Sequence, residues 1–153
     1  GARWTSPDNM HLTLRFIGDA DGAQCESIDR ALSGLTAASF PLTLGGIGHF
    51  PPRGAPRVLW AGVHGTPPLT ALRQKVERLM VRQGLEPDRR KWHPHVTIGR
   101  LSNGAVARAA RFLQEHAGLA LEPFLVTSFQ LYSSTLRPEG ATYTVEASYP
   151  LRG

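Results

Sequence analysis

Two histidine–threonine pairs carry the chemistry this sequence can offer. His11-Leu12-Thr13-Leu14 and His95-Val96-Thr97-Ile98 both read His-apolar-Thr-apolar, 84 positions apart. Successive side chains of a strand point to opposite faces, so each segment sets a His beside a Thr on one face and two aliphatics on the other. An imidazole exchanges protons near neutral pH, and a threonine hydroxyl donates to an anionic oxygen. Two such faces opposed across a cleft supply an acid, a base and an oxyanion clamp. Arg15 shares the His11 face by parity. Arg100 lies five residues after His95, and strict alternation turns it away. Gly99 just before it permits a bulge or strand end that re-aims the side chain. Both arginines are candidate phosphate contacts, and both also fit a solvated surface.

Each candidate has a plainer use. A lone strand histidine is usually satisfied by backbone groups, and threonine is a common strand filler. His93 and His95 have a spacing that can bind zinc, but no Cys or carboxylate lies close in sequence to complete a site, so no metal is expected. His49, His64 and His116 lack a repeated context. Phe50, Trp60 and Trp92 have the rings to stack a base, although aromatics in or beside strands more often fill a core.

The elements that must hold the pairs repeat with them. At the same offset Phe40-Pro41-Leu42-Thr43-Leu44 falls on Phe124-Leu125-Val126-Thr127-Ser128, and Arg57-Val58-Leu59-Trp60 on Ala141-Thr142-Tyr143-Thr144. A helical stretch follows each motif, at 20–37 and 104–117. This reads as an internal duplication of strand, helix, strand, strand, with pseudo-repeats at about 8–64 and 92–151 of one 1–153 domain. A duplication relates the two His/Thr faces by a pseudo-twofold axis.

Along the chain, residues 4–9 form an extended lead-in, and Met10–Ile17 the first motif strand. In helix 20–37, Ile28, Leu32 and Leu35 have helical spacing. Strands at 40–44 and 58–63 flank a Gly/Pro loop at 45–56. Pro67-Pro68 opens a second helix with Leu69, Leu72, Val76, Leu79 and Met80 on one face, ended by Gly84. Residues 92–101 form the second motif strand. Val106, Ala110 and Leu113 mark the third helix. A hairpin of 122–134 and 141–149 turns at Pro138-Glu139-Gly140. Strands, helices and short hairpins in this mixture predict an α+β fold with antiparallel sheets.

Composition bounds the rest. The formal net charge is +5, and of 17 basic residues only Lys75 and Lys91 are lysines. Such a chain suits an anionic partner such as RNA, although arginine preference also follows genome composition. No stretch approaches a membrane span, and the N-terminus does not read as a signal peptide. Cys25, the one cysteine, forms no intrachain disulfide. It sits in a helix-like stretch where packing is expected, and a reducing cytoplasm fits.

The chain resembles the two-histidine phosphoesterase superfamily, and within it the bacterial and archaeal RNA 2′,3′-cyclic phosphodiesterases (LigT-like, or 2′-5′ RNA ligases). The resemblance rests on the two motifs, on Ala2-Arg3-Trp4, on Asn9-Met10-His11-Leu12-Thr13-Leu14-Arg15-Phe16-Ile17-Gly18 and on Arg57-Val58-Leu59-Trp60. Pro94-His95-Val96-Thr97-Ile98-Gly99-Arg100 and the segment from Tyr132 to Leu151 extend it over essentially the whole chain. It implies a bilobal α+β fold, with helices outside two antiparallel sheets and a V-shaped central cleft. The implied reaction is metal-independent hydrolysis of a terminal ribose 2′,3′-cyclic phosphate to a 2′-phosphomonoester, with reverse 2′-5′ RNA ligation as a side activity. It implies catalysis by His11 as acid and His95 as base, an order the residues alone leave open. Thr13, Thr97 and Arg100 are the implied phosphate contacts, and no cofactor is implied. The expected partners are RNA ends or nucleoside 2′,3′-cyclic phosphates, for a cytoplasmic monomer that binds no membrane. Cleavage of 2′-5′ oligonucleotides and non-catalytic binding of RNA ends are the rival functions. The family begins with a strand and helix ahead of Ala2-Arg3-Trp4. The offset, run backwards, likewise puts a helix before Gly1, so a natural chain longer by about 25–35 residues is expected.

Overall fold

The structure is a computed structural model, and its described residues are 2–53, 56–64, 66–101, 106–118, 120–138 and 140–152. The elements run β1 (Ala2–Trp4), a 3-10 turn (Pro7–Asn9), α1 (Gly22–Ser33), β2 (Phe40–Leu42), β3 (Leu44–Phe50) and β4 (Val58–Val63). Then come α2 (Pro67–Arg82), β5 (His95–Leu101), α3 (Val106–His116), β6 (Phe124–Val126), β7 (Ser128–Arg137) and β8 (Gly140–Pro150). This is an α+β architecture. One sheet has the order β1-β5-β4-β3, β2 pairs with β6, and β7 pairs with β8. The four-stranded sheet and the β7–β8 hairpin are antiparallel throughout.

Two compact units share the chain. The first joins Gly1–Thr13, Leu42–His64 and His93–Phe124. The second joins Leu14–Pro41, Gly65–Trp92 and Leu125–Gly153.

Local chemistry sets the helices of the second unit. Asp21 caps α1 by accepting from Gln24 N at 2.7 Å, and Gly34 ends it. The helix is therefore shorter than the expected 20–37. Its buried residues are Ile28 and Leu32, one turn apart, whereas Cys25 is exposed rather than packed. In α2, Thr66 caps Leu69 N, two prolines fill the first turn, and Gly84 follows the end at φ +96°. Leu69, Leu72, Val76 and Met80 are buried there, with Phe129, Tyr149 and Leu151 also buried in this unit. Met80 and Ile28 are almost wholly removed from water, each worth about 1.5–3 kcal/mol of transfer free energy.

In the first unit, the β4–β5 sheet buries Leu59 and Leu101 on one face, with Ile98 and the α3 residues Phe112 and Leu113 packed on them. Trp4 lies on the same face, 5.3 Å from Phe112 and over Gly99. The first half of the expected 45–56 loop is instead strand, the β3 residues 45–50. Its glycines answer to neighbours rather than to a turn. A Cβ on Gly48 would sit 2.2 Å from the Trp60 ring, and Gly46 takes φ +73° within a bulge between Leu44 and Ile47. The first motif strand, expected over Met10–Ile17, reduces to one antiparallel bridge, Leu12↔Val96. A strand exists only where a neighbour pairs with it, and only Leu12 of this stretch has one among the described residues. The lead-in at 4–9 contains the 3-10 turn, with Pro7 at its start. The third helix keeps its expected place from Val106. Residues 104–105, the Val106 side chain and Glu139 of the hairpin turn lie outside the described residues. No helix among the described residues is long and apolar enough to cross a membrane.

Candidate active site

β5 pairs with β4 along one side. Along the other it meets β1 and, further on, Leu12. Residues directly opposite in such a ladder point to the same face, with Cβ atoms about 4.5–5.5 Å apart. Counting out from Leu12↔Val96 sets His11 against Thr97 and Thr13 against His95. All four polar side chains thus fall on one face, away from the face that carries Leu59 and α3. The two motifs meet as antiparallel neighbours within one unit, rather than as walls facing each other. The local twofold of any antiparallel pair relates them.

Arg100 joins them through a bulge. Leu59 pairs with Gly99 but Trp60 pairs with Thr97, so Ile98 is an extra residue on β5. The extra residue reverses the parity. Gly62, Trp60 and Val58 alternate onto one face of β4, and their partners are His95, Thr97 and Arg100. The bulge foreseen beside Gly99 is present, and it returns Arg100 to the histidine face, where it is exposed.

Each histidine is held in the same way. Nδ1 of His11 lies 2.8 Å from the Asn9 carbonyl oxygen, and Nδ1 of His95 lies 2.6 Å from that of His93. A carbonyl only accepts, so Nδ1 is the donor in both rings, and Nε2 is then the nitrogen whose chemistry suits acid–base work. The partner is two residues upstream in both motifs, so the repeat extends beyond the four-residue pattern. His93 thereby has a backbone role, and no cluster of metal-ligating side chains occurs among the described residues.

Aromatic rings flank His95. Phe50 meets it edge-on at 5.1 Å, and Trp60 lies 6.3 Å away. His93 packs against both, 5.5 Å from Phe50 and 4.9 Å from Trp60. Register requires this, since Gly48↔Trp60 and Phe50↔Val58 put Phe50 and Trp60 on the face of His95. By their residue types alone these rings suit either base stacking or a core. The glycine at position 48 was the available signal, because a strand glycine often marks a close ring. Trp92 belongs to the second unit, with the Arg73 guanidinium 5.6 Å from its ring.

Arg15 departs from its expected use. Parity with His11 fails because no strand continues through this stretch. Its Nε donates to Glu77 at 3.1 Å, with further bonds to the Phe16 and Glu86 carbonyls. Arg73 also pairs with Glu77 and reaches Asp88. The Arg15 and Arg73 side chains are only 8% and 10% exposed, so two carboxylates balance two nearly buried cations. A hydrogen bond from the Arg90 backbone holds the Asp88 carboxyl below its ordinary pKa.

Residues 6–137 match the family model of the 2′-5′ RNA ligase superfamily. The chain is 33% identical over 138 residues to the RNA 2′,3′-cyclic phosphodiesterase of Aeropyrum pernix, spanning 89% of this chain and 78% of that one. It is 34% identical over 155 residues to the protein of the same name from Aquifex aeolicus, spanning 99% and 82%. Among solved structures it resembles E. coli LigT complexed with 3′-AMP, with a TM-score of 0.74 and 25% identity, over 98% of this chain and 81% of LigT. TT0787 of Thermus thermophilus shares the fold, with a TM-score of 0.78 at 24% identity over 100% and 84% of the two chains.

Proposed function

The chain belongs to the 2′-5′ RNA ligase superfamily, and on that premise we propose that it hydrolyses the 2′,3′-cyclic phosphate at an RNA end to a 2′-phosphomonoester. One observation carries the reading: the Leu12↔Val96 pairing gathers both His/Thr pairs on one face, and each Nδ1 is spent on a carbonyl. Water attacks phosphorus while one Nε2, neutral, takes its proton. The other, protonated, gives a proton to the departing 3′ oxygen as the P–O3′ bond breaks. Thr13, Thr97 and Arg100 donate to the phosphoryl oxygens as charge builds on them. The family resemblance assigns His11 as acid and His95 as base. The Nδ1 contact to a carbonyl two residues upstream is alike at the two and does not itself order the roles. With a 5′-hydroxyl end in place of water, the same pair would support 2′-5′ ligation: O5′ attacks the phosphorus of the 2′,3′-cyclic phosphate and gives up its proton to the base as the P–O3′ bond breaks and O3′ takes one from the acid. Both proton transfers and the charge stabilisation are assigned to side chains, so the reaction needs no metal or cofactor. The expected setting is a cytoplasmic monomer acting on RNA ends.

The test is turnover of a nucleoside 2′,3′-cyclic phosphate, with the product resolved by phosphorus NMR, in the presence and absence of EDTA. A 2′-phosphate formed at the same rate under both conditions supports the proposal. A 3′-phosphate product would reverse the leaving group, and loss with EDTA restored by zinc would revive a metal at His93 and His95. Cleavage of 2′-5′ oligonucleotides alone would move the chain to the rival chemistry.

A further inference from the structure

We propose that Arg73 is a positioning residue for His95, acting through Trp92 and the His93 carbonyl. This rests on the function proposed above. The observation is that the stretch entering the second motif is fastened at every second residue. The Glu86 carbonyl accepts from Arg15 Nη2. The Asp88 N–H donates to Glu77 Oε1 at 3.4 Å, and the Asp88 carboxylate meets Arg73 at 3.7 Å. Asp88 in turn accepts from the Arg90 backbone N–H at 3.1 Å. Trp92 has the Arg73 guanidinium over its ring, 5.6 Å from the centroid. His93 comes next, and its carbonyl oxygen lies 2.6 Å from Nδ1 of His95. The ring that Arg73 covers thus belongs to the residue just before the carbonyl that sets the His95 tautomer.

Arg73 stands on α2 one turn from Glu77, which meets its Nη1 at 3.1 Å. Nη2 faces Asp88, so carboxylates set the planar fork from two sides and its flat face is left for the indole. Its Nε is buried with no hydrogen-bond partner among the described residues. A buried orphan donor calls for a reason, and the place over the ring supplies one. Replacing a buried charge cluster by apolar side chains is often neutral or stabilising, so stability alone does not account for this one. What the arginine adds is a fixed place for Trp92. Which ring nitrogen of a histidine carries the proton is set by the bond the other nitrogen makes. If Trp92 shifts, the His93 carbonyl shifts with it, and His95 loses its preference for the proton on Nδ1. Thr97 and Arg100 keep their places on β5, so substrate binding is spared and proton transfer is not.

The experiment compares the protein with Arg73→Lys, which keeps the charge and gives up the planar fork. Kinetics on cytidine 2′,3′-cyclic phosphate and nitrogen-15 NMR of the histidine rings, taken at a pH where they are neutral, are the two readouts. The expected result is a kcat lowered about tenfold to a hundredfold, with KM changed less than about twofold. His95 should pass from the Nδ1–H tautomer to a mixture, while His11 keeps its own. Leu32→Ala empties part of the core of the same unit and controls for stability. At a matched loss in Tm it must leave kcat and the His95 tautomer alone; the same changes there would make the role of Arg73 merely structural and overturn the proposal. Should Arg73→Lys fail to fold, Trp92→Leu, which leaves the ion pairs in place, must produce both changes. With an active protein, only one of the two changes, or neither, overturns the proposal, as does a KM raised tenfold at constant kcat. Should the unaltered protein turn over no cyclic phosphate, the functional reading fails by itself, and the tautomer of His95 then decides on Arg73.

Discussion

Gly48→Ala should damage this protein although alanine is ordinarily the safer residue in regular structure. Gly48 has no positive φ, so the backbone accepts a side chain without strain. Replacing such a glycine commonly stabilises a protein by about 0.4–1 kcal/mol, through the entropy of the unfolded chain. Here the new Cβ would lie 2.2 Å from two carbons of the Trp60 ring and 2.7 Å from a third. To regain ordinary contact the indole must retreat by about 1.2 Å, from 2.2 to 3.4 Å. It retreats into His93 at 4.9 Å and Phe50 at 5.6 Å, the rings that flank His95. Overpacking of this kind costs about 1–3 kcal/mol, or about 2–12 °C in Tm for a chain of this size. Displacing the His95 support by about an ångström should cost about a hundredfold in turnover. Thermal unfolding and steady-state kinetics on a nucleoside 2′,3′-cyclic phosphate read the two effects. In a Trp60→Leu background the same alanine should be nearly neutral, because the clashing atoms are gone. A raised Tm with full turnover in the single variant would refute the reasoning.

His11→Ala and His95→Ala should each lower kcat by about two to four orders of magnitude, and kcat/KM should follow a bell-shaped pH profile. Near-normal turnover by either folded variant, or a flat profile with chemistry limiting, removes the two-histidine mechanism. Glu77→Gln should cost about 3–5 kcal/mol in urea unfolding, because it leaves Asp88 as the one carboxylate for two nearly buried guanidinium groups. Arg15→Ala should lower stability and leave KM alone; a KM raised tenfold at unchanged stability would return Arg15 to the phosphate site. Burial, and then the Asp29 carboxylate that accepts from its hydroxyl at 2.7 Å, raise the Tyr149 pKa above the ordinary tyrosine value. With the folded pKa raised, this contribution is full below about pH 10 and is lost as pH rises further. Urea midpoints should therefore fall above about pH 10, and Tyr149→Phe should flatten that slope; an equal slope in both proteins would clear Tyr149.

What was legible in the sequence was whatever is decided locally. Thr66, Pro67-Pro68 and Gly84 bracket α2 with their own side chains and dihedrals, so the helix fell where its pattern put it. The hairpin of β7 and β8 and the run Val58–Val63 were legible for the same reason. β3 was hidden because its glycines look like loop residues, while their cause is a tryptophan on the next strand. The first motif reads as a full strand because composition shows what can pair, not what it pairs with. Arg15 reads as a phosphate contact because its partner Glu77 is 62 residues away and invisible to local parity. At the candidate site, repetition singles out the two His/Thr pairs as the proposed residues, and Gly99 signals the bulge that re-aims Arg100.

The interleaving of the two units has a consequence for how the protein is made. The first unit needs Gly1–Thr13, Leu42–His64 and His93–Phe124 together, and the second needs segments as late as β8. Neither can close while the ribosome has delivered only the first half of this sequence. β1 and the His11 segment must wait for β5, which emerges roughly 4–16 s later at ordinary translation speeds of about 5–20 residues per second. Meanwhile the β3–β4 hairpin, the one early element able to pair at once, holds an unpaired β4 edge open to β5. Nascent chains arrested before β5 should be protease-sensitive throughout, and those arrested after β8 should not. Coding changes that slow synthesis between β4 and β5 would lengthen that exposure without altering a residue of the finished protein.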